Sequence, residues 1–416
     1  LRYGSGQPQH PGRYHSARKL ERTTAYWQRK AESCVFTGPW RDAIVRSYLA
    51  LHLLVYSPTG AIVAAPTTSL PEHIGGERNW DYRYTWLRDA SLTLTAFFRL
   101  GHADEATGFM NWLLSVCDKC GPKAQILYDI DFLDPLDEQE LDHLRGYRDS
   151  RPVRIGNGAY QQRQLDVFGE ILEAAYRYLD IGGHITRRAW GLLESFVDAA
   201  CLLWKWPDQG IWEIRGGPYH FVHSKFMCWV AVDRGIKMGE RLGHRKNIRR
   251  WRETADETRS DILEKGWNGE KKAFTQHYDT TALDSSNLLM NFFDFLPVSD
   301  ERMRSTIERT VEELSWNGLL RRYNTDETDD GLSGTEGAFL WCSFWLVRSL
   351  IRMDRLDEAV ALYERLVGYS NHLGLLPEMV DPATGEALGN FPQALTHLGI
   401  IITGIELTGA LDESKT

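Results

Sequence analysis

Helical periodicity dominates this sequence and constrains the fold more than any other feature. Apolar residues recur every three or four positions through a series of segments, the pattern of helices with one buried face. Candidate strands are short and scattered, such as 61–65, and they do not alternate regularly with helices, so a parallel sheet is not expected. Helices are predicted over 21–32, 41–56, 89–100, 106–116, 167–179, 189–204, 227–242, 248–266, 300–314, 338–353, 356–367 and 397–408.

The connections between these predicted helices differ widely in length. The long ones are rich in polar and aromatic residues and cover 61–88, 120–165, 205–225, 268–290, 316–337 and 371–396. This pattern favours an all-α toroid of paired helices, an (α/α) barrel, because long loops at the end where the inner helices converge build a cleft. The predicted organisation is a linker with an N-terminal helix over 1–35, followed by one barrel domain over 36–416.

Charge and composition exclude several classes of partner. The formal net charge is −9, whereas a nucleic-acid-binding protein needs a basic surface. No apolar run of about eighteen residues is present, so no membrane-spanning helix is predicted. The chain opens without a charged-then-apolar leader, which favours a cytoplasmic location. It begins at Leu1 instead of methionine, which is consistent with a removed leader or upstream domain.

Aromatic residues are abundant, with 15 Trp, 17 Tyr and 16 Phe. Sugar rings present apolar C–H faces that stack on indole, so the tryptophan count fits a carbohydrate-binding cleft. A large helical core filled by tryptophan explains the same count. Composition alone leaves both interpretations open.

The stretch 75–89 combines charged and aromatic side chains at high density. It contains three Arg, two Asp, two Trp and two Tyr. Fixed Arg and Asp side chains can hold sugar hydroxyls as donors and acceptors. A solvated surface would carry such charges too, but the interleaved tryptophans are not expected on such a surface.

Two acidic residues outside this stretch are candidates for acid–base chemistry. Glu213 follows Trp212 in a loop between Gly210 and Gly216. An indole that shields the carboxyl from water would favour the protonated form that a general acid needs. On local sequence alone, a surface pair between Glu213 and Arg215 is the simpler interpretation.

The second candidate, Glu378, follows Pro377 and lies between the apolar residues Leu376 and Val380. A carboxylate in apolar surroundings is costly unless it has partners. An acid at the start of a helix is the alternative explanation. Because Glu213 and Glu378 are far apart along the chain, only the fold can bring them together.

Taken together, these segments closely resemble glycoside hydrolase family 15, the glucoamylase-like family, and especially its bacterial branch. The resemblance runs from about Trp40 to the end of the chain. Many matches in the same order make it specific. The matching pieces are 66–72, 79–89, 210–215, 224–225, 229–235, 330–332, 336–339 and 388–394.

The resemblance implies an (α/α)6 barrel and single-displacement hydrolysis of an α-glucoside with inversion, without a metal or organic cofactor. It places the general acid on Glu213 and the general base on Glu378. In inverting enzymes the two carboxyl groups lie roughly 6.5–9.5 Å apart, which leaves room for the attacking water. The substrate-binding residues that it implies are Trp86, Arg88, Asp89, Trp212, Arg215 and Arg322.

The substrate within this class is open. The main hypothesis is exo-acting, glucoamylase-like release of β-glucose from the non-reducing end of an α-glucan or oligosaccharide. An α,α-trehalase, or a hydrolase of isomaltose or dextran ends, is the alternative. A non-catalytic carbohydrate-binding accessory protein would be marked by loss of one carboxyl group, and both are present. A sugar phosphorylase on a similar barrel would replace the base by a phosphate site, so Glu378 counts against it.

Two features depart from the family pattern. Bacterial relatives often have an acidic or amide residue directly after the base, where this chain has Met379. Relatives also commonly carry an N-terminal β-sandwich domain, which is absent from this sequence. Besides the carbohydrate, a missing or separate β-sandwich is therefore an expected partner.

Overall fold

Helices joined by long loops make up most of the structure, a computed structural model that describes residues 15–123, 125–131 and 136–415. The helices are α1 (Ser16–Glu32), α2 (Arg41–Leu54), α3 (Ala90–Arg99), α4 (Ala103–Cys120), α5 (Asp166–Asp180), α6 (Arg187–Leu203), α7 (Val222–Leu242), α8 (Ile248–Lys265), α9 (Glu301–Leu314), α10 (Leu340–Arg352), α11 (Leu356–Val367) and α12 (Ala394–Glu413). Short 3-10 segments cover Leu87–Asp89, Gly121–Lys123, Tyr147–Asp149, Gly158–Gln161 and Ser285–Asn291.

The helices form two concentric rings. In the inner ring, α3, α5, α7, the 3-10 segment Ser285–Asn291, α10 and α12 contact one another in this order, and α12 closes the ring on α3. In the same order, the inner elements pack against the outer helices α4, α6, α8, α9, α11 and α2, and some contact a second outer helix, as α7 does with α6. This arrangement is an (α/α)6 barrel, which confirms the fold expected from the resemblance.

Burial follows the two rings. The outer helix α8 buries only Ile248, Trp251, Ala255, Thr258 and Ile262, whose spacing of three and four residues marks one face. The inner helix α12 is instead buried continuously over 394–404. Within the described chain, α12 alone is long and apolar enough to cross a membrane, but 67% of its apolar window lies buried in the barrel. Its composition is that of a core helix.

Strands of two residues brace the long loops. They are β1 (Val55–Tyr56), β2 (Ala61–Ile62), β3 (Thr85–Trp86), β4 (Leu127–Tyr128), β5 (Gln139–Glu140), β6 (Arg154–Ile155), β7 (Trp267–Asn268), β8 (Ala273–Phe274), β9 (Ser315–Trp316), β10 (Leu319–Leu320), β11 (Ala338–Phe339), β12 (Met379–Val380) and β13 (Ala387–Leu388). All described pairs are antiparallel, and β11, β12 and β13 form one three-stranded sheet with Phe339 opposite Met379. Glu378 therefore directly precedes β12, and Trp86 ends β3.

Several predicted boundaries need correction. The predicted strand 61–65 is only Ala61–Ile62. The long loop predicted over 205–225 ends at Val222, where α7 begins. The loop predicted over 268–290 overlaps the inner-ring segment Ser285–Asn291, whose seven residues are all buried. The N-terminal helix starts at Ser16 and buries none of its residues, and residues 1–14 of the predicted linker lie outside the described residues. The division at residue 35 stays a prediction.

Candidate active site

A cavity opens among the long loops and reaches into the barrel. Its wall includes residues from the start of three inner helices, such as Asp89 before α3, Trp341 in α10 and Leu395 in α12. The predicted site residues that line the cavity are Trp86, Arg88, Asp89, Trp212, Glu213, Arg215 and Arg322. Glu378 does not itself line the cavity but is bound to a residue that does. The fold thus brings all eight predicted residues to one region.

Glu213 is held at the cavity by side chains from the stretch 75–89. The indole Nε1–H of Trp86 donates to Glu213 Oε1 over 2.7 Å, and Arg88 Nη2 lies 3.4 Å from the same oxygen. The side chain is 17% exposed. The two contacts to the same oxygen fix the orientation of the Glu213 carboxyl group at the cavity.

The loop around Glu213 is tightly fixed. Glu213 has a φ of +59°, which is uncommon for a residue other than glycine. Arg215 and Gly216 donate their backbone N–H groups to the carbonyl oxygen of Asp330 over 2.7 and 3.1 Å. Strained backbone that is held by surrounding structure is frequent at functional sites. The loop presents Glu213 at a conformational cost, which the neighbouring loop at Asp330 offsets.

Glu378 is almost fully buried, with 1% of its surface exposed. The hydroxyl of Tyr82 donates to Oε1 over 2.7 Å, and the backbone N–H of Asn390 donates to Oε2 over 3.0 Å. Burial raises the pKa of Glu378, while the hydrogen bonds from Tyr82 and Asn390 and the charge of Arg322 lower it. Burial is the largest of these effects, so the pKa of Glu378 lies above its ordinary value, and the two donors limit the rise.

Gly389 makes room for this carboxylate. Its φ is +72°, and a Cβ atom added to it would lie 2.4 Å from Glu378 Oε2. A side chain at this position would displace the carboxylate, so glycine is required on both conformational and steric grounds. Met379, which departs from the family pattern, lies fully buried beside it in β12.

One aromatic pair connects the two carboxyl groups. The rings of Tyr82 and Trp86 lie edge to face with centroids 5.2 Å apart. Tyr82 donates to Glu378 and Trp86 donates to Glu213. The two acids, distant along the chain, therefore lie on either side of one aromatic pair at the cavity. Their separation in the range for an inverting enzyme stays a prediction.

Arg88 and Asp89 lie together at the start of α3. Arg88 Nη1 donates to the carbonyl oxygen of Ile211 over 2.5 Å, which ties it to the loop of Glu213. Asp89 is 7% exposed, and its Oδ1 atom has no hydrogen-bond partner among the described residues. Burial raises the pKa of Asp89 to about 6, against the charge of Arg88, which lowers it. Asp89 is therefore a mostly ionised acceptor at neutral pH that lines the cavity.

Arg322 is part of a buried charged network that the sequence did not reveal. It donates to Glu336 Oε1 over 2.9 Å and to Glu72 Oε2 over 2.9 Å. Burial, together with the charges of Glu378 and Glu336, raises the pKa of Glu72 to about 8, although Arg322 opposes this. Arg322 lines the cavity, but much of its hydrogen-bonding capacity is used within this network.

The other two predicted residues have different partners from those expected. The indole N–H of Trp212 donates to Asp284 over 2.9 Å, and shielding of Glu213 by the Trp212 ring stays a prediction. Arg215 donates to Glu138 over 2.7 Å, and its guanidinium lies 4.9 Å from the ring centre of Trp80. Trp212 and Arg215 both line the cavity.

Sequence reasoning missed Tyr82, Glu72 and Glu336 as site residues. Tyr82 belongs to the aromatic and charged stretch 75–89, so its position was a usable signal. Glu72 and Glu336 lie in the matching pieces 66–72 and 336–339, but nothing in those pieces shows that both contact Arg322. Across residues 15–123, 125–131 and 136–415, no group of three or more His, Cys, Asp or Glu side chains is arranged to hold a metal ion.

Comparison with known proteins agrees with this fold. The profile of Glycosyl hydrolases family 15 matches residues 38–405. A solved structure named "Glycosidase Wild Type" superposes with a TM-score of 0.70 at 18% identity, covering 89% of this chain and 96% of that one. A bacterial glucoamylase complexed with acarbose gives a TM-score of 0.69 at 15% identity, covering 88% of this chain and 55% of that one. At these identities the structural likeness concerns the fold.

Curated relatives are similar over nearly the whole chain. A trehalase of Mycolicibacterium smegmatis is 44% identical over 405 residues, covering 96% of this chain and 60% of that protein. A trehalase of Thermoplasma acidophilum is 43% identical over 400 residues, covering 96% of this chain and 68% of that protein. The fold and the family match are those of an (α/α)6-barrel glycoside hydrolase. The chain belongs to Glycosyl hydrolases family 15.

Proposed function

We propose that this chain hydrolyses an α-glucoside with inversion and that its substrate is α,α-trehalose. The observation that carries the reaction type is the pair Glu213 and Glu378, each bound to one ring of the Tyr82–Trp86 pair at a single cavity. The curated relatives named trehalase, at 43–44% identity, favour trehalose over an α-glucan. The chain spans 60% of the length of the mycobacterial relative, so the activity of the longer protein enters here as part of the proposal.

In the proposed reaction Glu213 donates its proton to the glycosidic oxygen as the bond to the anomeric carbon breaks. Glu378 takes a proton from a water molecule that attacks the same carbon from the opposite face. Tyr82 and Asn390 orient Glu378 and stabilise its ionised form. Arg88 and Asp89 hold the hydroxyls at the far end of the glucose ring, which explains action at a terminal sugar only.

The acceptor side of the cavity would hold the second glucose of trehalose. Trp80, Ile214 and Arg215 line this part of the wall near Glu213. Arg215 is fixed by Glu138, and the guanidinium of Arg154 also lies 4.8 Å from the ring centre of Trp80. A rigid wall with one fixed guanidinium suits a single acceptor sugar, because fixed donors discriminate strongly between hydroxyl patterns.

A substrate panel tests this proposal. Among trehalose, maltose, isomaltose and soluble starch, trehalose is expected to give the highest kcat/KM, by roughly 100-fold. Proton NMR at early times should show equal amounts of β- and α-glucose, since attack inverts one anomeric carbon and the other sugar leaves unchanged. The Glu378→Gln protein, purified in the same way, controls for contaminating hydrolases.

Other outcomes of the panel assign other functions. A preference for maltose or starch would favour the glucoamylase-like hypothesis, and a preference for isomaltose would favour action on dextran ends. Binding of sugars by calorimetry without any glucose release would indicate a carbohydrate-binding protein. Release of only α-glucose from trehalose would contradict the single-displacement mechanism.

Tyr82→Phe is expected to move the acidic limb of the kcat/KM profile to higher pH. The Tyr82 hydroxyl lowers the pKa of Glu378, so its removal raises that pKa. The base is then protonated, and inactive, at a higher pH than in the parent. Profiles between about pH 4 and 8 measure the shift, and Tyr147→Phe, at a half-exposed tyrosine outside the cavity wall, is the control. An unchanged acidic limb would contradict this role of Tyr82.

A further inference from the structure

Glu170 is a buried acid of the inner ring whose carboxyl group has no protein partner. It lies in α5, is 6% exposed, and lines the same cavity as Glu213 and Asp89. In the described part of the chain it makes no hydrogen bond and no ion pair. Glu173, three residues further along α5, shows the contrast, because it is paired with Arg177 and Arg234. The carboxylate of Glu173 therefore has partners within the protein, whereas the carboxyl group of Glu170 has none in the described part of the chain.

The surroundings of Glu170 favour its neutral form. Burial raises its pKa well above the ordinary value, the charges of Asp166 and Asp89 raise it further, and the charge of Arg88 only partly opposes this. A neutral carboxylic acid offers one O–H donor and a carbonyl acceptor. A buried polar group of this kind is unfavourable unless a ligand or an ordered water binds it.

The cavity wall near Glu170 offers little else that can bind it. Ser91 and Leu92 from the start of α3 line this part of the cavity. Four further wall residues from the inner ring are apolar, namely Leu289, Trp341, Trp345 and Leu395, and so is Phe293 just after the 3-10 segment. Arg348, on the inner helix α10, also lines the cavity. Its guanidinium is already paired with Glu406 through both Nε and Nη2. A hydroxylated ligand held at Asp89 is therefore the partner that the position of Glu170 fits.

We propose that Glu170 is a further sugar-binding residue, which exchanges a hydrogen bond with the 4- or 6-hydroxyl of the glucose unit in the cavity. This inference rests on the proposed function, because it takes the glucose unit to lie with that end toward Arg88 and Asp89. Glu170 would then contribute to selection of glucose over sugars that lack one of these hydroxyls. The group is a binding residue and takes no part in proton transfer to the glycosidic oxygen.

The proposal is tested by a double-change cycle that combines a substitution of Glu170 with removal of one sugar hydroxyl. We would measure kcat/KM of the parent and of Glu170→Leu on trehalose, 4,4′-dideoxytrehalose and 6,6′-dideoxytrehalose. Glu170→Leu is expected to lose roughly 10- to 100-fold on trehalose, mainly through KM. On one of the two deoxy analogues the loss caused by Glu170→Leu should largely disappear, because that analogue already lacks the hydroxyl that Glu170 binds. On the other analogue the variant should lose about the same factor as on trehalose.

Two further variants serve as controls. Glu170→Gln keeps a donor and an acceptor in the same volume and should stay within about 3-fold of the parent. Glu264→Leu, at an exposed position of α8 away from the cavity, should leave all three substrates unchanged. Glu170→Ala replaces the leucine variant if that one does not fold. If Glu170→Leu lost the same factor on trehalose and on both deoxy analogues, the proposal would be overturned.

Failure of the proposed function would give a different result. If the parent prefers maltose or isomaltose, the same cycle is run with analogues that are deoxygenated at the non-reducing unit of that substrate. If the parent releases no glucose, calorimetric binding of glucose, 4-deoxyglucose and 6-deoxyglucose replaces the rate measurement. Coupling between Glu170 and one hydroxyl would support the proposal in each case, and its absence would contradict it.

Discussion

Glu378→Gln is expected to lower kcat on trehalose by about 10²- to 10⁴-fold. Glutamine keeps the volume of the side chain and accepts a hydrogen bond from Asn390, but it cannot take a proton from water. Since the acidic proton of Glu213 and the sugar contacts remain, KM should change far less than kcat. Initial rates of glucose release on trehalose, with thermal unfolding to check the fold, measure the effect.

Rescue by azide distinguishes a variant that has lost only the general base from one whose active site is no longer intact. In Glu378→Ala the anion can enter the space of the carboxylate and attack the anomeric carbon directly, so the trehalose bond breaks without a base. The expected product is β-glucosyl azide, formed in proportion to azide concentration. Glu264→Gln, at an exposed position of α8, should show parent rates and no azide product. Near-normal turnover by Glu378→Gln would remove Glu378 from the role of base.

Apolar periodicity predicted the helices of this barrel well where one face or all faces of a long segment are apolar. It failed for Ser285–Asn291, because a seven-residue 3-10 segment that is buried on all sides has too few turns to show a period. It also placed the start of α7 too late, since His223, Ser224 and Lys225 look like loop residues although all three are buried. Polar residues buried at the cavity end thus conceal the first turn of an inner helix.

The family resemblance located the candidate site residues, but it did not predict their partners. Glu213 carries no local sign that its donor is Trp86, because the two residues meet only through the fold. The same holds for Arg322, whose bonds to Glu72 and Glu336 limit what it can offer a sugar. Contacts within the folded protein already use many donors and acceptors of these side chains. A list of site residues taken from sequence therefore overstates how many of their polar groups can bind substrate.

The positive φ of Glu213 shows how the fold and the chemistry are linked. A carboxyl group on regular helix or strand would follow the direction of that element, whereas the left-handed conformation turns this one toward Trp86 and Arg88. The flanking Gly216 is needed for the same arrangement, since a Cβ atom there would lie 2.6 Å from the carbonyl oxygen of Asp329. The loop is therefore specified by glycine spacing as well as by the acid.

Glu213→Gln is expected to lower kcat on trehalose by about 10²- to 10⁴-fold but to retain most activity on α-glucosyl fluoride. The glycosidic oxygen leaves only when it receives a proton, and glutamine has no acidic proton to give. Fluoride leaves without protonation, so the loss of Glu213 matters much less for that substrate. Glucose and fluoride release, measured in parallel on both substrates, give the two ratios.

Comparison with the base variant makes this prediction specific. Glu378→Gln should lose activity on both substrates, because water must be activated whichever group leaves. Glu213→Gln should lose it on trehalose alone, and Trp86 can still donate its indole N–H to the amide oxygen, so the loop is expected to keep its shape. If Glu213→Gln lost the same factor on α-glucosyl fluoride as on trehalose, Glu213 would act through binding or folding and the proton donor would have to be sought elsewhere in the cavity.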